Sequence, residues 1–156
     1  MLHLIPASLH RQLYRVAHRL RGLWLRLRGG EVHGCSIIAR DATGRVLLVR
    51  HSYGSGWWAF PGGGMHRGED ALAAALREFA EELGCTVTDP VHLATVEEMF
   101  HGARNVAHIF TGLIDGEPLP DGREIIAAQF FAPDALPPDT APNVQRRLAL
   151  LTPTTG

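Results

Sequence analysis

The sequence contains no lysine, only two cysteines and no long apolar run. Cys35 and Cys85 are too few for a disulfide framework and lack the spacing of a zinc site, so we predict two buried free thiols in a reducing cytoplasm. No uncharged apolar run approaches the ~20 residues that a membrane-spanning helix needs. These absences argue against a disulfide-stabilised secreted domain and an integral membrane protein, and they favour a cytoplasmic one.

Positive charge is concentrated at the N-terminus. Residues 1–30 contain six arginines and no acidic residue, whereas the remainder has nine arginines against 16 acidic residues, a balance of −7 by subtraction. This division predicts a basic appendage, residues 1–30, on a single acidic domain, residues 31–156. An acidic domain gives no support for nucleic-acid binding.

Residues 8–28 have the pattern of an amphipathic helix, because apolar residues recur at spacings of three and four while most arginines fall off that stripe. Our first interpretation is that the stripe packs over the domain or against a second copy in a homodimer. The second is contact with an anionic membrane surface, and the third is a targeting peptide. The stripe comprises Leu9, Leu13, Val16, Ala17, Leu20, Leu23, Trp24 and Leu27.

From residue 35 onward the pattern alternates between strands and helices, which predicts an α/β domain with a mixed sheet and helices on its faces. A turn at residues 41–44 between two β-branched runs predicts a hairpin. An alanine-rich stretch followed by Gly84 predicts a helix over residues 69–83. The other predicted elements are strands at 91–99, 106–114 and 125–131 and a helix at 143–151, with a linker at 29–34 and a segment rich in glycine and aromatic residues at 51–64.

The predicted helix over residues 69–83 carries three glutamates at i, i+3 and i+4. This spacing places Glu78, Glu81 and Glu82 on one helical face, where like charges repel and weaken the helix. A hard divalent cation such as Mg²⁺ or Mn²⁺ would compensate, since both prefer carboxylate oxygen. A solvated acidic face explains the three carboxylates equally well when they are considered alone.

A glycine run immediately before this helix favours the metal interpretation. Residues 61–64 read Pro-Gly-Gly-Gly, and glycine lets the backbone approach a ligand closely. Free amides at a helix start also favour anions such as phosphate. The glycine run and the three carboxylates together predict a site that holds metal and diphosphate against each other.

Residues 63–85 resemble the signature of Nudix hydrolases, G-x5-E-x7-R-E-U-x-E-E-x-G-U, where U is a bulky apolar residue. Cys85 at the last apolar position is a departure that affects packing more than chemistry. The order of the surrounding elements resembles the family from about residue 34 to residue 137. The fixed positions of the signature are all filled, by Gly63, Glu69, Arg77, Glu78, Glu81, Glu82 and Gly84.

The resemblance implies the Nudix α/β/α sandwich and hydrolysis by attack of water on phosphorus, with Mg²⁺ or Mn²⁺ as the cofactor. The implied substrate is a nucleoside diphosphate linked to another group: ADP-ribose, a dinucleoside polyphosphate, a nucleotide sugar or a nucleoside triphosphate. Two alternatives stay open. One is a catalytically silent Nudix-like domain that binds a nucleotide and signals through a partner, and the other is an isomerase of isoprenyl diphosphates.

The resemblance also implies a role for each residue at a signature position. Glu81 and Glu82 are the expected metal ligands, and Glu78 is a further ligand or the general base. The backbone carbonyl of Gly63 is another expected ligand. Arg77 is expected to orient the glutamates through salt bridges without touching the substrate.

Carboxylates beyond these positions are expected to support the site. Glu69 matches a signature position and is expected to support the metal ligands without binding the metal directly. Family members often recruit one more carboxylate from outside the signature. Glu124 is our first choice for it, with Glu97 and Glu98 as second choices, although an ordinary surface role fits all three equally well.

Substrate contacts are predicted from residue type. Arg50, Arg67 and Arg104 are candidate phosphate ligands, because a guanidinium can bind phosphate with two hydrogen bonds. Trp57 is a candidate for stacking on a base, whereas Trp58 is predicted to lie in the core. The nine histidines show no ligand spacing, and none is predicted to bind metal.

Overall fold

The computed structural model describes residues 31–100 and 102–152, together with positions 6, 9, 12, 13 and 17. The predicted basic helix over residues 8–28 therefore lies mostly outside the described residues. Leu9 and Leu13, two members of its apolar stripe, expose 47% and 51% of their surface. In the part of the chain that the structure describes, no helix is long and apolar enough to cross a membrane.

The described residues form a seven-stranded sheet with helices on its faces. The elements are β1 (Val32–Arg40), β2 (Val46–His51), β3 (Trp58–Ala59), β4 (Gly62–Gly64), α1 (Ala71–Leu83), β5 (Thr86–Phe100), β6 (Ala103–Asp115), β7 (Ile125–Phe131) and α2 (Pro142–Leu148), followed by a 3-10 turn at Ala149–Leu151. The strand order is β3-β2-β1-β6-β5, with β4 paired to β1 and β7 paired to β2. Strands β1 and β6 run parallel and the other pairs are antiparallel, which confirms the mixed sheet.

The two faces of the sheet are covered by different helices. Because side chains alternate along a strand, Ile37 of β1 packs with Phe79 of α1, whereas its neighbour Ile38 packs with Val144 of α2. All four of these side chains are buried. The predicted α/β/α sandwich is confirmed, and α1 is the helix that carries the glutamates.

Local capping sets the ends of α1. The Asp70 carboxylate accepts a hydrogen bond from the Ala73 amide at 3.0 Å, so the helix begins at Ala71 and not at residue 69 as predicted. Gly84 ends it with a φ of 65°, and its amide donates to the Ala80 carbonyl at 2.9 Å. A left-handed residue at this position favours glycine, so the predicted helix end is confirmed.

The β1–β2 hairpin is confirmed, and Asp41 closes it. Its carboxylate accepts hydrogen bonds from the backbone amides of Thr43 and Arg45 at 2.9 and 3.0 Å. The Arg45 side chain donates to the same carboxylate at 2.7 Å.

Several other predicted boundaries are wrong, because pairing in the sheet overrides the local pattern. Residues 32–34 were predicted as linker but belong to β1, where they pair in parallel with β6. Strand β5 begins at Thr86, five residues earlier than predicted, since it pairs with the far end of β6. The segment 51–64 contains β3 and β4, which were not predicted. The closing helix, predicted over residues 143–151, ends at Leu148, and the last three of these residues form the 3-10 turn.

Candidate active site

Helix α1 presents its three glutamates to different surroundings. Glu82 is buried, with 1% of its surface exposed. Glu78 is mostly buried, with 15% of its side chain exposed, whereas Glu81 exposes 62%. The shared face predicted from their spacing is therefore an arc that runs from the protein interior to solvent, with Glu82 at its inner end.

Glu82 is the most deeply buried carboxylate of this helix. Neither carboxylate oxygen accepts a hydrogen bond of standard geometry from the described residues. Burial raises the pKa of Glu82 well above 4.5, and the charges of Glu124 and Glu78 raise it further, while the nearby Gly62 amide opposes this only in part. Because an unpaired buried polar group is costly, the site fits a divalent cation, whose preferred ligands are such oxygens.

Backbone hydrogen bonds bring Glu124 to this site. The loop before β7 is tied to the end of α1, because the Leu119 amide donates to the Leu83 carbonyl at 2.8 Å and the Asp121 amide donates to the Glu82 carbonyl at 3.1 Å. The Asp121 carboxylate then accepts the Glu124 amide at 3.0 Å. The loop is therefore fixed against the helix, and Glu124 lies beside Glu82.

Glu82, Glu124 and His51 form a group that could hold a metal ion. One ligand atom from each lies within 4.8 Å of the others. Tyr53 donates its hydroxyl to a carboxylate oxygen of Glu124 at 2.8 Å, and the Ser52 amide donates to the Glu124 carbonyl at 2.8 Å. Burial, and then the charge of Glu78, raise the pKa of Glu124. Neither His51 nor Tyr53 is predicted from the sequence, which predicts no histidine ligand at all, since nothing in their spacing links them to α1.

The glycines of β4 let the backbone pass close to the carboxylates. A side chain at Gly63 would place its Cβ 2.6 Å from the carboxyl carbon of Glu78. The Gly63 carbonyl, an expected metal ligand, accepts the Cys35 thiol at 3.5 Å. Burial raises the pKa of Cys35 to about 11, and Cys85 is also a buried free thiol, as predicted.

Arg77 binds the glutamates around the site. Its guanidinium donates twice to Glu69, at 2.8 and 3.0 Å, and once each to Glu78 at 3.0 Å and Glu81 at 3.4 Å. It also donates to the Gly64 carbonyl at 3.3 Å. The Arg77 hydrogen bonds hold the pKa of Glu69 at about 2. Arg77 thus connects α1 to the loop before it and to β4.

Arg77→Lys is expected to reduce metal affinity and turnover by about 10- to 100-fold, as for other groups that orient metal ligands. One ammonium cannot reproduce the paired hydrogen bonds to Glu69 while also reaching Glu78. Arg45→Lys is the matched control, because Arg45 also binds a carboxylate, that of Asp41, but in the β1–β2 hairpin. Equal metal affinity and turnover in the two variants would contradict a positioning role for Arg77.

Two tryptophans and Arg50 lie around β3. Trp58 is buried against Phe131, with ring centroids 5.1 Å apart, so its prediction as a core residue is confirmed. Trp57 is 45% exposed and is accessible to a ligand. Arg50 stacks over the Trp58 ring at 4.7 Å and forms an ion pair with Asp139.

The remaining candidates form ion pairs of their own or face solvent. Arg104 binds Glu97 and Glu31. Glu98 binds Arg147 at 2.7 Å. Arg67 is exposed in the loop before α1. Of the three carboxylates proposed from outside the signature, the structure places only Glu124 in the potential metal-binding group.

Comparisons with known proteins find similar sequences and a similar fold. A putative 8-oxo-dGTP diphosphatase of Bacillus subtilis is 28% identical over 116 residues, covering 74% of this chain and 76% of that protein. An RNA pyrophosphohydrolase of Teredinibacter turnerae is 41% identical over 61 residues, covering 39% of this chain and 36% of that protein. The crystal structure of a MutT NUDIX hydrolase from Burkholderia pseudomallei superposes with a TM-score of 0.72 at 27% identity, covering 79% of this chain and 99% of that one.

The sequence model of the NUDIX domain matches residues 32–151. This range includes the whole sheet, helix α1 and the loop that carries Glu124. The complete signature, the fold and the family match agree, and the chain belongs to the Nudix hydrolase family.

Proposed function

We propose that the protein is a metal-dependent pyrophosphohydrolase that cleaves the diphosphate bond of a nucleoside diphosphate linked to another group. The observation that carries this proposal is the carboxylate of Glu82. It is buried, accepts no hydrogen bond of standard geometry from the described residues, and lies with Glu124 and His51 in one potential metal-binding group. The proposed cofactor is Mg²⁺ or Mn²⁺. Without such an ion, clustered carboxylates at this depth would only destabilise the fold.

Glu82 and Glu124 are proposed to hold the cation, with Glu78 alongside. When bound, the cation would polarise a phosphoryl oxygen and lower the pKa of a water molecule. Tyr53 keeps Glu124 in place through its hydroxyl. Glu81, at the solvent end of the arc, is proposed to bind a cation that arrives with the diphosphate.

Glu78 is proposed to accept the proton of the attacking water. Arg77 fixes one of its carboxylate oxygens at 3.0 Å. Burial raises the pKa of Glu78, although Arg77 opposes the shift, and a pKa closer to neutrality suits a general base. The remaining carboxylate of the signature, Glu69, acts through its two hydrogen bonds with Arg77.

The substrate is proposed to approach from the solvent side of β4 and the start of α1. Trp57 directly precedes β3, Arg67 lies in the loop between β4 and α1, and both are exposed. Arg67 is the proposed contact for phosphate, and Trp57 is the proposed contact for the base. The compounds to test are ADP-ribose, dinucleoside polyphosphates, nucleotide sugars and nucleoside triphosphates. The names of the two relatives add 8-oxo-dGTP and an RNA to this panel.

The proposal is tested by incubating the full-length protein with each compound under three conditions: Mg²⁺, Mn²⁺ and excess EDTA. Products are identified by chromatography, since hydrolysis of a diphosphate bond gives two phosphorylated fragments or, from a triphosphate, a monophosphate and pyrophosphate. We expect turnover of at least one compound that requires metal. Turnover that persists in EDTA, or no turnover of any compound while nucleotide still binds, would contradict it, and the second result would favour a silent sensor domain.

A further inference from the structure

His51 lies where the β2–β7 ladder is irregular. Arg50 pairs with Ala127, but the next residue, His51, pairs with Ile125, so the register shifts between them. The extra residue in this irregularity is Ile126 of β7, and such irregularities often occur next to active sites. Alternation along β2 also places His51 on the same face as Val49, which packs in the core beneath α1. The imidazole therefore lies on the side of the sheet that faces Glu82.

The distances fit shared coordination of one ion. A nitrogen of His51 and carboxylate oxygens of Glu82 and Glu124 lie within 4.8 Å of one another. Two ligand atoms that each lie about 2.2 Å from one ion are at most about 4.4 Å apart. Side-chain movements of a few tenths of an ångström would therefore bring the three ligand atoms within coordination distance of one ion. Glu82 is 1% exposed, and its oxygens accept no hydrogen bond of standard geometry from the described residues, so the group is more than a surface cluster of acidic residues.

We propose that His51 supplies a nitrogen ligand to this site and that the site therefore binds Mn²⁺ in preference to Mg²⁺. The inference rests on the metal dependence proposed above and goes further by assigning a ligand and a metal. Mg²⁺ is hard, demands oxygen ligands in near-ideal octahedral geometry and keeps its waters. Mn²⁺ also prefers carboxylate oxygen, but as a first-row transition dication it accepts an imidazole nitrogen more readily than Mg²⁺ does. The imidazole nitrogen thus adds to the affinity for Mn²⁺ and contributes little for Mg²⁺.

Direct binding tests the metal preference without any substrate. Isothermal titration of the metal-free, full-length protein with MnCl₂ and with MgCl₂ is expected to give an affinity at least about 10-fold higher for Mn²⁺. In His51→Gln that ratio is expected to fall about 10-fold, through weaker Mn²⁺ binding with Mg²⁺ binding nearly unchanged. His92→Gln is the matched control, because His92 is an exposed histidine of β5 that contacts Thr95, and it is expected to bind both ions as the wild type does.

Pulsed EPR of bound Mn²⁺ reports the nitrogen ligand itself. The wild-type spectrum is expected to show modulation from a directly coordinated nitrogen, which His51→Gln lacks and His92→Gln retains. Because the wild-type measurement stands alone, the inference is tested even if His51→Gln fails to fold.

The possible outcomes separate this inference from the proposed function. Tight binding of Mn²⁺ that Glu82→Gln abolishes, without nitrogen modulation in the wild type, would overturn the role of His51 and leave the metal-dependent hydrolase intact. Equal affinity for the two ions would overturn the metal preference. If neither ion binds the wild type, the proposed function fails together with the inference.

Discussion

Glu82→Gln is expected to lower metal-dependent hydrolysis about 100- to 1,000-fold, because a bound cation contributes several kcal/mol to such reactions and each 1.36 kcal/mol is a factor of ten. Glutamine keeps the shape of the side chain but removes the negative charge at the most buried position of the site. The measurement is kcat and KM for the best compound of the substrate panel, at saturating Mn²⁺ and at saturating Mg²⁺.

The matched control for this experiment is Glu97→Gln. Glu97 was also a candidate for the catalytic carboxylate, but it is exposed and pairs with Arg104 on the neighbouring strand. Loss of an exposed ion pair costs little, so Glu97→Gln is expected to keep turnover within about twofold of the wild type. A large loss in Glu97→Gln with full activity in Glu82→Gln would reverse the assignment of the site.

In the absence of metal, Glu82→Gln is expected to raise the free energy of unfolding although it lowers activity. In EDTA, Glu82→Gln should be about 1–2 kcal/mol more stable than the wild type, because the neutral amide avoids burying an unpaired carboxylate. This dependence on pH follows from the raised pKa of Glu82, because the folded state binds the Glu82 proton more tightly than the unfolded state does. The stability of the metal-free wild type should therefore fall as the pH rises from 4.5, the ordinary pKa, toward the raised pKa of the folded state. The advantage of glutamine should therefore be larger at pH 8 than at pH 5.

Adding metal should reverse this order of stability. An ion at 100 times its dissociation constant stabilises the folded state by about 2.7 kcal/mol, and only the wild type should gain this amount. Thermal unfolding in EDTA and in MnCl₂ measures both effects. An equal metal-induced rise in Tm for the wild type and Glu82→Gln would show that the ion binds elsewhere.

Features encoded locally were predicted best. Helix α1 was recognised from its composition, and its end was placed correctly because the left-handed conformation of Gly84 favours glycine. Its start was predicted two residues early, since Glu69 is as suitable as Asp70 in a first turn. Only the structure shows that Asp70 accepts the capping hydrogen bond, whereas Glu69 binds Arg77.

Features that depend on tertiary contacts were partly missed. Strand β4 is a run of three glycines, which has no strand propensity and forms only because β1 is there to pair with it. His51 approaches Glu82 because β2 and α1 pack together on one side of the sheet, which no local pattern reports. Glu124 was selected from the family resemblance, and its position beside Glu82 depends on backbone bonds to the end of α1.

Gly62→Ala is expected to have the largest effect on stability, about 3 kcal/mol or more, because the new methyl group would force two backbones apart. An alanine Cβ at this position would lie 2.1 Å from the Cys35 carbonyl oxygen and 2.7 Å from the Ser36 Cα. Backbone atoms of a central strand cannot move aside as a flexible side chain can. Strand β4 would have to leave β1, and the Gly63 backbone that packs against Glu78 would move with it.

Gly34→Ala is the matched control, since Gly34 lies on β1 opposite Gly64 in the same pair of strands. Its Cβ would meet its nearest neighbours, Asn105 and the Gly63 carbonyl, at 3.5 Å, which is ordinary van der Waals contact. Urea unfolding is expected to place Gly34→Ala within about 1 kcal/mol of the wild type and Gly62→Ala far below it. Equal stability of the two variants would show that β4 can separate from β1 at little cost. The close approach of the β4 backbone to Glu78 would then not be needed to hold the site together.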